Sequence, residues 1–418
     1  MKDGGACDRP SGCRRESARV SAHRGKVVVA MSGGVDSSVA ACLLRERGYD
    51  IIGLFMCMGE RRPSDAERDV AEIPRGPHDR RPGCCTPVDA ADARAVAARL
   101  GISFCAVDFH REFEELIRYF AGEYARGRTP NPCILCNQRL KFGRLAEYGR
   151  TVGADFVATG HHARIDSDQG IYRLRRGVDP HKDQSYVLFG LPRTMLPRTL
   201  LPIGDLTKEQ VREDARRFGL SVSDKPESQD ICFAPDRDYA RIVRRFHPEA
   251  FVEGPIVNAQ GTPIGRHRGI AHFTIGQRRG LNVAMGVPIY VTRIDARNNA
   301  IVVGTADDLA SDHLAASGVQ WLADPPPHPF RADVKIRSTH PAASATVEAI
   351  GPDRVHVRFD EPQTAVTPGQ AAVFYAGDVV LGGGWIDDTA SCDSDEAGCS
   401  PTAAKPTPLS LVPHRSDR

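Results

Sequence analysis

The chain has 418 residues, 41% of them hydrophobic and 26% charged, with a formal net charge of +2. That length allows two or three domains, the composition is globular, and the near balance of charge excludes a chain whose whole surface binds polyanions. No apolar run approaches the ~20 residues that span a bilayer. Residues 1–24 lack the apolar core of a secretory signal and read as a disordered extension, so a cytoplasmic setting without membrane contact is expected. Twelve cysteines in such a chain point to reactive or metal-binding thiols rather than a disulfide framework.

The first element is Lys26-Val27-Val28-Val29-Ala30-Met31, a β-branched run that reads as a buried strand. Ser32-Gly33-Gly34-Val35-Asp36-Ser37-Ser38 follows it directly. Two glycines allow a tight turn and close approach to an anion. Val35 to Arg47 then has helix-forming composition and stops before Gly48. Strand, glycine turn and helix N-terminus make an anion site, because backbone N–H groups and the positive end of the helix dipole face the ligand. Three serine hydroxyls add donors, and Asp36 is a candidate ligand for Mg2+ bridging phosphates. No Gly-Lys-Ser/Thr follows, so the loop is not the common P-loop. A bare Ser-Gly-Gly marks only a turn; the full motif after the first strand of an α/β pattern specifies nucleotide binding.

Strands at Asp50–Met56, Ser103–Phe109 and Asp155–Thr159 alternate with helices at Asp89–Leu100, Arg111–Arg126 and Leu140–Val152. Residues 59–83 form a loose Arg/Pro/Asp/Gly-rich insertion, and Thr129-Pro130-Asn131-Pro132 forces a loop. The alternation predicts an α/β domain with a doubly wound parallel sheet at 25–235, whose ligands sit at the carboxyl ends of the strands. The SGGVDSS turn and Gly160-His161-His162 both fall there. Adjacent histidines on a strand point in different directions, so a hydrogen-bonding role fits them better than a shared metal. From residue 236 the texture turns to β, with strands at Ile289–Ile294 and Ala300–Val303. Pro325-Pro326-Pro327 looks like a boundary. A small central domain at 236–315, a β-barrel at 316–388 and a disordered tail at 389–418 are expected.

Cys133 and Cys136 form a CxxC between the proline loop and a helix start, where cysteines are better nucleophiles. Cys232 lies in Ser228-Gln229-Asp230-Ile231-Cys232-Phe233. These thiols admit three readings. A closed zinc site wants four ligands, and Cys84-Cys85 is adjacent rather than spaced. Simple burial is the usual fate of cysteines such as Cys42 or Cys105. Sulfur transfer through a persulfide and disulfide exchange is the third. SGGVDSS resembles a loop whose family makes an adenylate, and beside a cysteine that carries sulfur that resemblance implies ATP-driven thiolation.

The SGGVDSS segment resembles the PP-loop of the ATP pyrophosphatases, which split ATP between its α- and β-phosphates. Over residues 26–386 the chain resembles the tRNA-specific 2-thiouridylase family, through AMSGGVDSSVAACLL, GRTPNPCILCNQRLKFG, ATGHHARI, DPHKDQSYVLFGL, SQDICF, GTPIGRHRGIAHFTIGQRRGL and PGQAAVFYAGDVVLGGG. The resemblance implies a PP-loop catalytic domain, a central domain and a C-terminal barrel that grip tRNA together. It implies that Ala30, Met31, Ser32, Gly33, Gly34, Val35, Asp36 and Ser37 bind ATP, with Met56 and Gly160 lining the adenosine. It makes Cys136 the nucleophile and Cys232 the persulfide carrier, the two ending as a disulfide. Asn131, Pro132 and Cys133 would meet the target base. Lys182, Asp183, Gln184, His161, Gln370, Arg337 and Ser338 would contact tRNA. Some family members have Asp where this chain has Cys133, so an acid or base role at that position does not carry over. Cys133, Cys136 and Cys232 are also candidates for a three-thiolate iron–sulfur cluster. The implied partners are tRNA and a cysteine desulfurase or sulfur-relay protein.

Independently of the resemblance, residues 237–297 hold ten arginines, no lysine and four acidic residues, an excess suited to phosphates. Two other classes stay open. A small-molecule ligase with the same adenylation would need neither Cys136 nor Cys232, and a non-catalytic RNA-binding protein would not need an intact SGGVDSS.

Overall fold

A computed structural model of the chain describes residues 24–59, 86–226, 231–234, 238–283 and 285–387. Apart from Arg24 and Gly59, the expected N-terminal extension and the 59–83 insertion lie outside the described residues, as do Cys84, Cys85 and the C-terminal tail.

The first domain begins with β1 (Lys26–Ala30), α1 (Val35–Glu46), β2 (Asp50–Cys57), α2 (Pro87–Leu100), β3 (Ser103–Asp108) and α3 (His110–Ala125). It continues through α4 (Pro132–Leu135), a π-helical stretch at Cys136–Arg144, α5 (Leu145–Thr151), β4 (Phe156–Ala158), a hairpin of β5 (Ala163–Asp168) and β6 (Ile171–Arg176), β7 (Thr199–Leu200) and α6 (Lys208–Arg217). The sheet has the order β3-β2-β1-β4-β7, and its pairings are parallel. The strand order reverses between β1 and β4, which opens a crevice at their carboxyl ends.

The continuous apolar run of β1 follows from burial on both faces. Val27 and Val29 pack with α1, α2 and α6, through residues such as Val39, Val96 and Val211. Val28 and Ala30 face the other way, toward Phe113 and Leu116 of α3, Leu140 and Phe142, and Leu145 of α5. Thr86 caps α2 in a reciprocal box with Asp89, and Pro87 occupies the first turn, where a missing N–H is harmless.

The helix expected to begin at Leu140 starts at Pro132 instead and passes through the π-helical stretch into α5. Cys136 therefore lies inside a helical run rather than ahead of one. The proline loop predicts the stop but not the restart, since Pro132 suits the first turn of a helix.

The central domain comprises α7 (Tyr239–Phe246), β8 (Gly254–Val257), β9 (Pro263–His267), β10 (Tyr290–Asp295) and β11 (Ala300–Gly304), with sheet order β10-β11-β8-β9. Its core takes in Phe120, Ala121 and Tyr124 from α3. Phe120 meets Phe233 with ring centroids 5.1 Å apart and Tyr239 at 5.8 Å.

β12 (Ala310–Trp321), β13 (Phe330–Lys335), β14 (Ala343–Ala349), β15 (Arg354–Thr364), β16 (Ala371–Ala376) and β17 (Val379–Ile386) run in the order β12-β15-β14-β13-β16-β17, and β12 pairs with β17 to close a six-stranded barrel. The β5–β6 hairpin joins it where Arg175 of β6 pairs with Val379. β12 crosses residue 315, where the sequence divides the central domain from the barrel. The triple proline is a loop inside the barrel between β12 and β13, because prolines bar ladder pairing without marking a domain edge. Among the described residues no helix is long and apolar enough to cross a membrane.

Candidate active site

The turn between β1 and α1 is shaped by close contacts. Gly33 has φ +74°, and a Cβ there would lie 2.2 Å from the Asp89 carbonyl oxygen. Gly34 is the N-cap of α1 and offers no side-chain cap, so the first-turn N–H groups face outward for a ligand. The Ser38 hydroxyl donates to the Gly34 carbonyl at 2.8 Å and the Ser37 hydroxyl at 3.2 Å. Ser37 Oγ also accepts from Ser32 N at 3.1 Å. At the end of β4, a Cβ on Gly160 would fall 2.5 Å from Ser37 N, so only glycine lets this segment lie against α1. Ala30, Met31, Val35 and Met56 are buried around the turn, while Ser32 is exposed. The first turn of α1 and Gly160 thus form a cradle suited to phosphates.

Asp36 is engaged by two other groups. Lys208 Nζ, from the start of α6, lies 2.8 and 2.9 Å from its two carboxylate oxygens. His162 Nε2 lies 3.5 Å from Oδ1, too long for a well-formed hydrogen bond. Burial pushes the Asp36 carboxyl up, but His162 and Lys208 outweigh it and hold it below the usual range. This arrangement does not fit Asp36 as a Mg2+ ligand, since a dication on either oxygen would meet the ammonium that already occupies both. On the other side of the turn, Lys225 Nζ donates to the Gly33 carbonyl at 3.0 Å, Asp89 at 2.7 Å and Asp92 at 2.6 Å.

The two histidines diverge as expected. His161 is buried, and burial, with Lys141 and His162 nearby, holds its imidazole well below the ordinary value. Lys141 Nζ donates to Nε2 at 3.4 Å, which leaves Nδ1 to donate to Thr159 Oγ1 at 2.7 Å. Lys141 lies on the same π-helical stretch as Cys136. His161, expected at the RNA, thus links the end of β4 to the cysteine helix.

Cys133 is exposed, Cys136 and Cys232 are half-buried, and the last two pack against the same apolar core as Val28 and Phe113. Burial pushes the Cys42 thiol to about 11 and raises Cys57, which suits neither for thiolate chemistry. Among the described residues no three His, Cys, Asp or Glu side chains converge as a metal site.

Residues expected at the RNA also make contacts within the fold, and Gln370 among them holds the segment before the cysteine loop. Gln370 Nε2 donates to the Thr129 carbonyl at 2.8 Å, and Thr129 N donates to the Pro368 carbonyl at 2.9 Å, tying the segment before Asn131 and Pro132 to the barrel. Arg337 donates to the Ala365 carbonyl at 2.6 Å, and the neighbouring Ser338 is exposed. A Cβ on Gly276, which opens the Gly276-Gln277-Arg278-Arg279-Gly280 loop, would lie 3.2 Å from Ala365 Cβ. Asp183 accepts from Gly177 N and Ser185 N at 3.0 Å each, while Gln184 exchanges two 2.9 Å bonds with the His162 backbone. The Lys182–Gln184 loop is thus stapled to the histidine pair.

Three family descriptions align in order along the chain. They are a tRNA methyl transferase HUP domain over residues 25–236, a tRNA methyl transferase PRC-barrel domain over 241–305 and an aminomethyltransferase β-barrel domain over 311–386. A tRNA-specific 2-thiouridylase from Carboxydothermus hydrogenoformans is 47% identical over 368 residues, covering 87% of this chain and 98% of that one. The chain belongs to the tRNA-specific 2-thiouridylase family. Relatives of the same name from Geobacter metallireducens (46% identical, 87% and 97% covered) and Clostridioides difficile (43%, 87% and 98%) span the same region.

Within this 2-thiouridylase chain, the sequence reading passes over Lys208, Lys225 and Lys141. Lys208 carries one legible sign: Thr207 and Gln210 form a capping box, which puts a lysine at the first position of a helix, where the dipole disfavours a cation.

Proposed function

We propose that the protein is an ATP-dependent tRNA sulfurtransferase that converts the wobble uridine to 2-thiouridine. What carries this reading is the adjacency of a phosphate cradle and a cysteine helix, joined through Gly160, His161 and Lys141.

The uridine leaves its stack, since its carbonyl is otherwise hidden. Its O2 attacks the α-phosphorus of ATP at the α1 N-terminus, and pyrophosphate departs. The N–H groups of the first turn stabilise the charge on the transferring group. Cys232 carries a persulfide loaded by a cysteine desulfurase or relay protein. Its ionised terminal sulfur attacks C2, and AMP leaves. The Cys136 thiolate then attacks Cys232 Sγ, which frees the thiocarbonyl and leaves a Cys136–Cys232 disulfide; an external dithiol reduces it before the next cycle. Cys133, Asn131 and Pro132 border the entering base. The arginine-rich central domain and the Gly276–Gly280 loop approach the RNA backbone.

The test is thiolation of unmodified tRNA with ATP, Mg2+, a cysteine desulfurase and cysteine. Wild type is expected to place sulfur on the wobble base. Cys136→Ala and Cys232→Ala are each expected to lose it while tRNA still stimulates pyrophosphate release. Absence of sulfur in wild type, with pyrophosphate release indifferent to tRNA, would support a small-molecule ligase instead.

A further inference from the structure

The phosphate turn contains no lysine, yet a buried one reaches it from a distant helix. Lys208 is 8% exposed and stands 172 residues from Asp36 in sequence. Its place at the first turn of α6 is electrostatically unfavourable for the helix, so α6 does not account for it. Its own N–H donates to Asp179 Oδ2 at 3.0 Å, which fixes the residue's backbone. The ammonium is then held by both oxygens of Asp36, at 2.8 and 2.9 Å, beside the uncapped N-terminus of α1. His162 closes the other side. It is 3% exposed, its Nε2 approaches Asp36, and neither ring nitrogen has a hydrogen-bond partner. A buried imidazole with two unsatisfied nitrogens is costly unless a ligand completes it.

We propose that Lys208 is the phosphate-binding cation of this turn and that Asp36 is its positioning residue, with His162 as a further contact for the same phosphate chain. A lysine beside a glycine turn and a helix N-terminus performs this task in common P-loops, where it follows the glycines directly. Here it is supplied across the fold. An ammonium is a compact point charge with three donors, and at this place it neutralises charge near the α–β bridge, where the bond breaks. Asp36 keeps it from swinging away into solvent. The inference rests on the reading that the turn takes ATP.

The test is calorimetric binding of α,β-methylene-ATP, which cannot be split at that bridge, to the full chain with and without Mg2+. If wild type binds none, the ATP reading itself fails, and the role of Lys208 falls with it. If wild type binds, Lys208→Met is expected to weaken binding about 10- to 100-fold, as for the loss of one charged hydrogen bond, and Lys208→Arg to recover part of it. Asp36→Asn should weaken binding less and leave the Mg2+ dependence as in wild type. The double variant Asp36→Asn/Lys208→Met removes both charges together, so no lone carboxylate is left buried. It is expected to bind no better than Lys208→Met. Wild-type affinity in the double variant would mean that Lys208 only neutralises Asp36. Loss of the Mg2+ response in Asp36→Asn would make Asp36 a metal ligand. Either result overturns the proposal.

Discussion

Gly160→Ala places a methyl group between β4 and α1, 2.5 Å from Ser37 N and 2.6 Å from Asp36 C. Both are backbone atoms, so neither can rotate aside. Gly160 does not have a positive φ, so alanine suits its backbone and the whole effect is steric. Reaching an ordinary contact requires the first turn of α1 to move by about 1 Å, and overpacking of this kind costs ~1–3 kcal/mol. The displaced groups are the N–H donors of the cradle, and a misplacement of ~1 Å can cost ~100-fold where geometry decides. The variant should melt several degrees lower and bind ATP about 10- to 100-fold more weakly, read by differential scanning and titration calorimetry. Gly153→Ala is the control. Gly153 has φ +74° with nothing within 4 Å of an added Cβ, so alanine there should lower stability by ~1–2 kcal/mol through strain alone and leave ATP affinity intact. A Gly160→Ala protein with unchanged melting and ATP affinity within twofold of wild type would refute close packing as the reason for this glycine.

Lys225→Met should lower stability by ~1–3 kcal/mol at neutral pH, since three charged hydrogen bonds go and Asp89 and Asp92 are left facing each other. Burial lowers the Lys225 pKa, but the two carboxylates outweigh it and raise it above 10.5. The stabilisation is therefore complete below pH 10.5 and lost as pH rises through the folded value, and melts of the variant and wild type should converge there. Asp36 works in the opposite sense: held low, it stabilises fully above pH 3.8 and loses this as pH falls through its folded value, so Asp36→Asn should flatten the acid limb of the melting curve. Gln370→Ala frees the Thr129 carbonyl and should slow thiolation severalfold with ATP affinity unchanged. Affinity for tRNA should fall steeply with added salt, by a logarithmic slope of about 0.7–0.9 per phosphate contacted; a flat response in a filter-binding series would remove the arginine-rich surface from the interface.

What is local in sequence is legible there. The β1 run, the SGGVDSS turn and the strand–helix alternation each depend on neighbours a few residues apart, and the doubly wound sheet follows from them. The three thiols and the glycine at 160 are likewise motif residues. The Asp36–Lys208 pair is not legible, because nothing near Asp36 announces a partner so remote in the chain. The histidine pair is read correctly as diverging, but which ring meets Lys141 and which meets Asp36 depends on how β4 abuts α1 and the π-helical stretch. That stretch is itself hidden, since its hydrogen-bond shift leaves no compositional trace. Pro325–Pro327 looks like a boundary in sequence because a break in pairing reads the same whether it joins strands or domains.

α3 carries apolar residues for two cores, with Phe113 and Leu116 in the first domain and Phe120 and Tyr124 in the central one. Phe233 and Tyr239 reach the second set first, and its cover is complete only when the chain has been made as far as Val303. At ribosomal rates of ~5–20 residues per second that is a wait on the order of 10–40 s. Through that interval the nascent first domain presents an aromatic patch that is at best partly covered, so the growing chain is at its stickiest with the first domain already translated and the central domain still emerging.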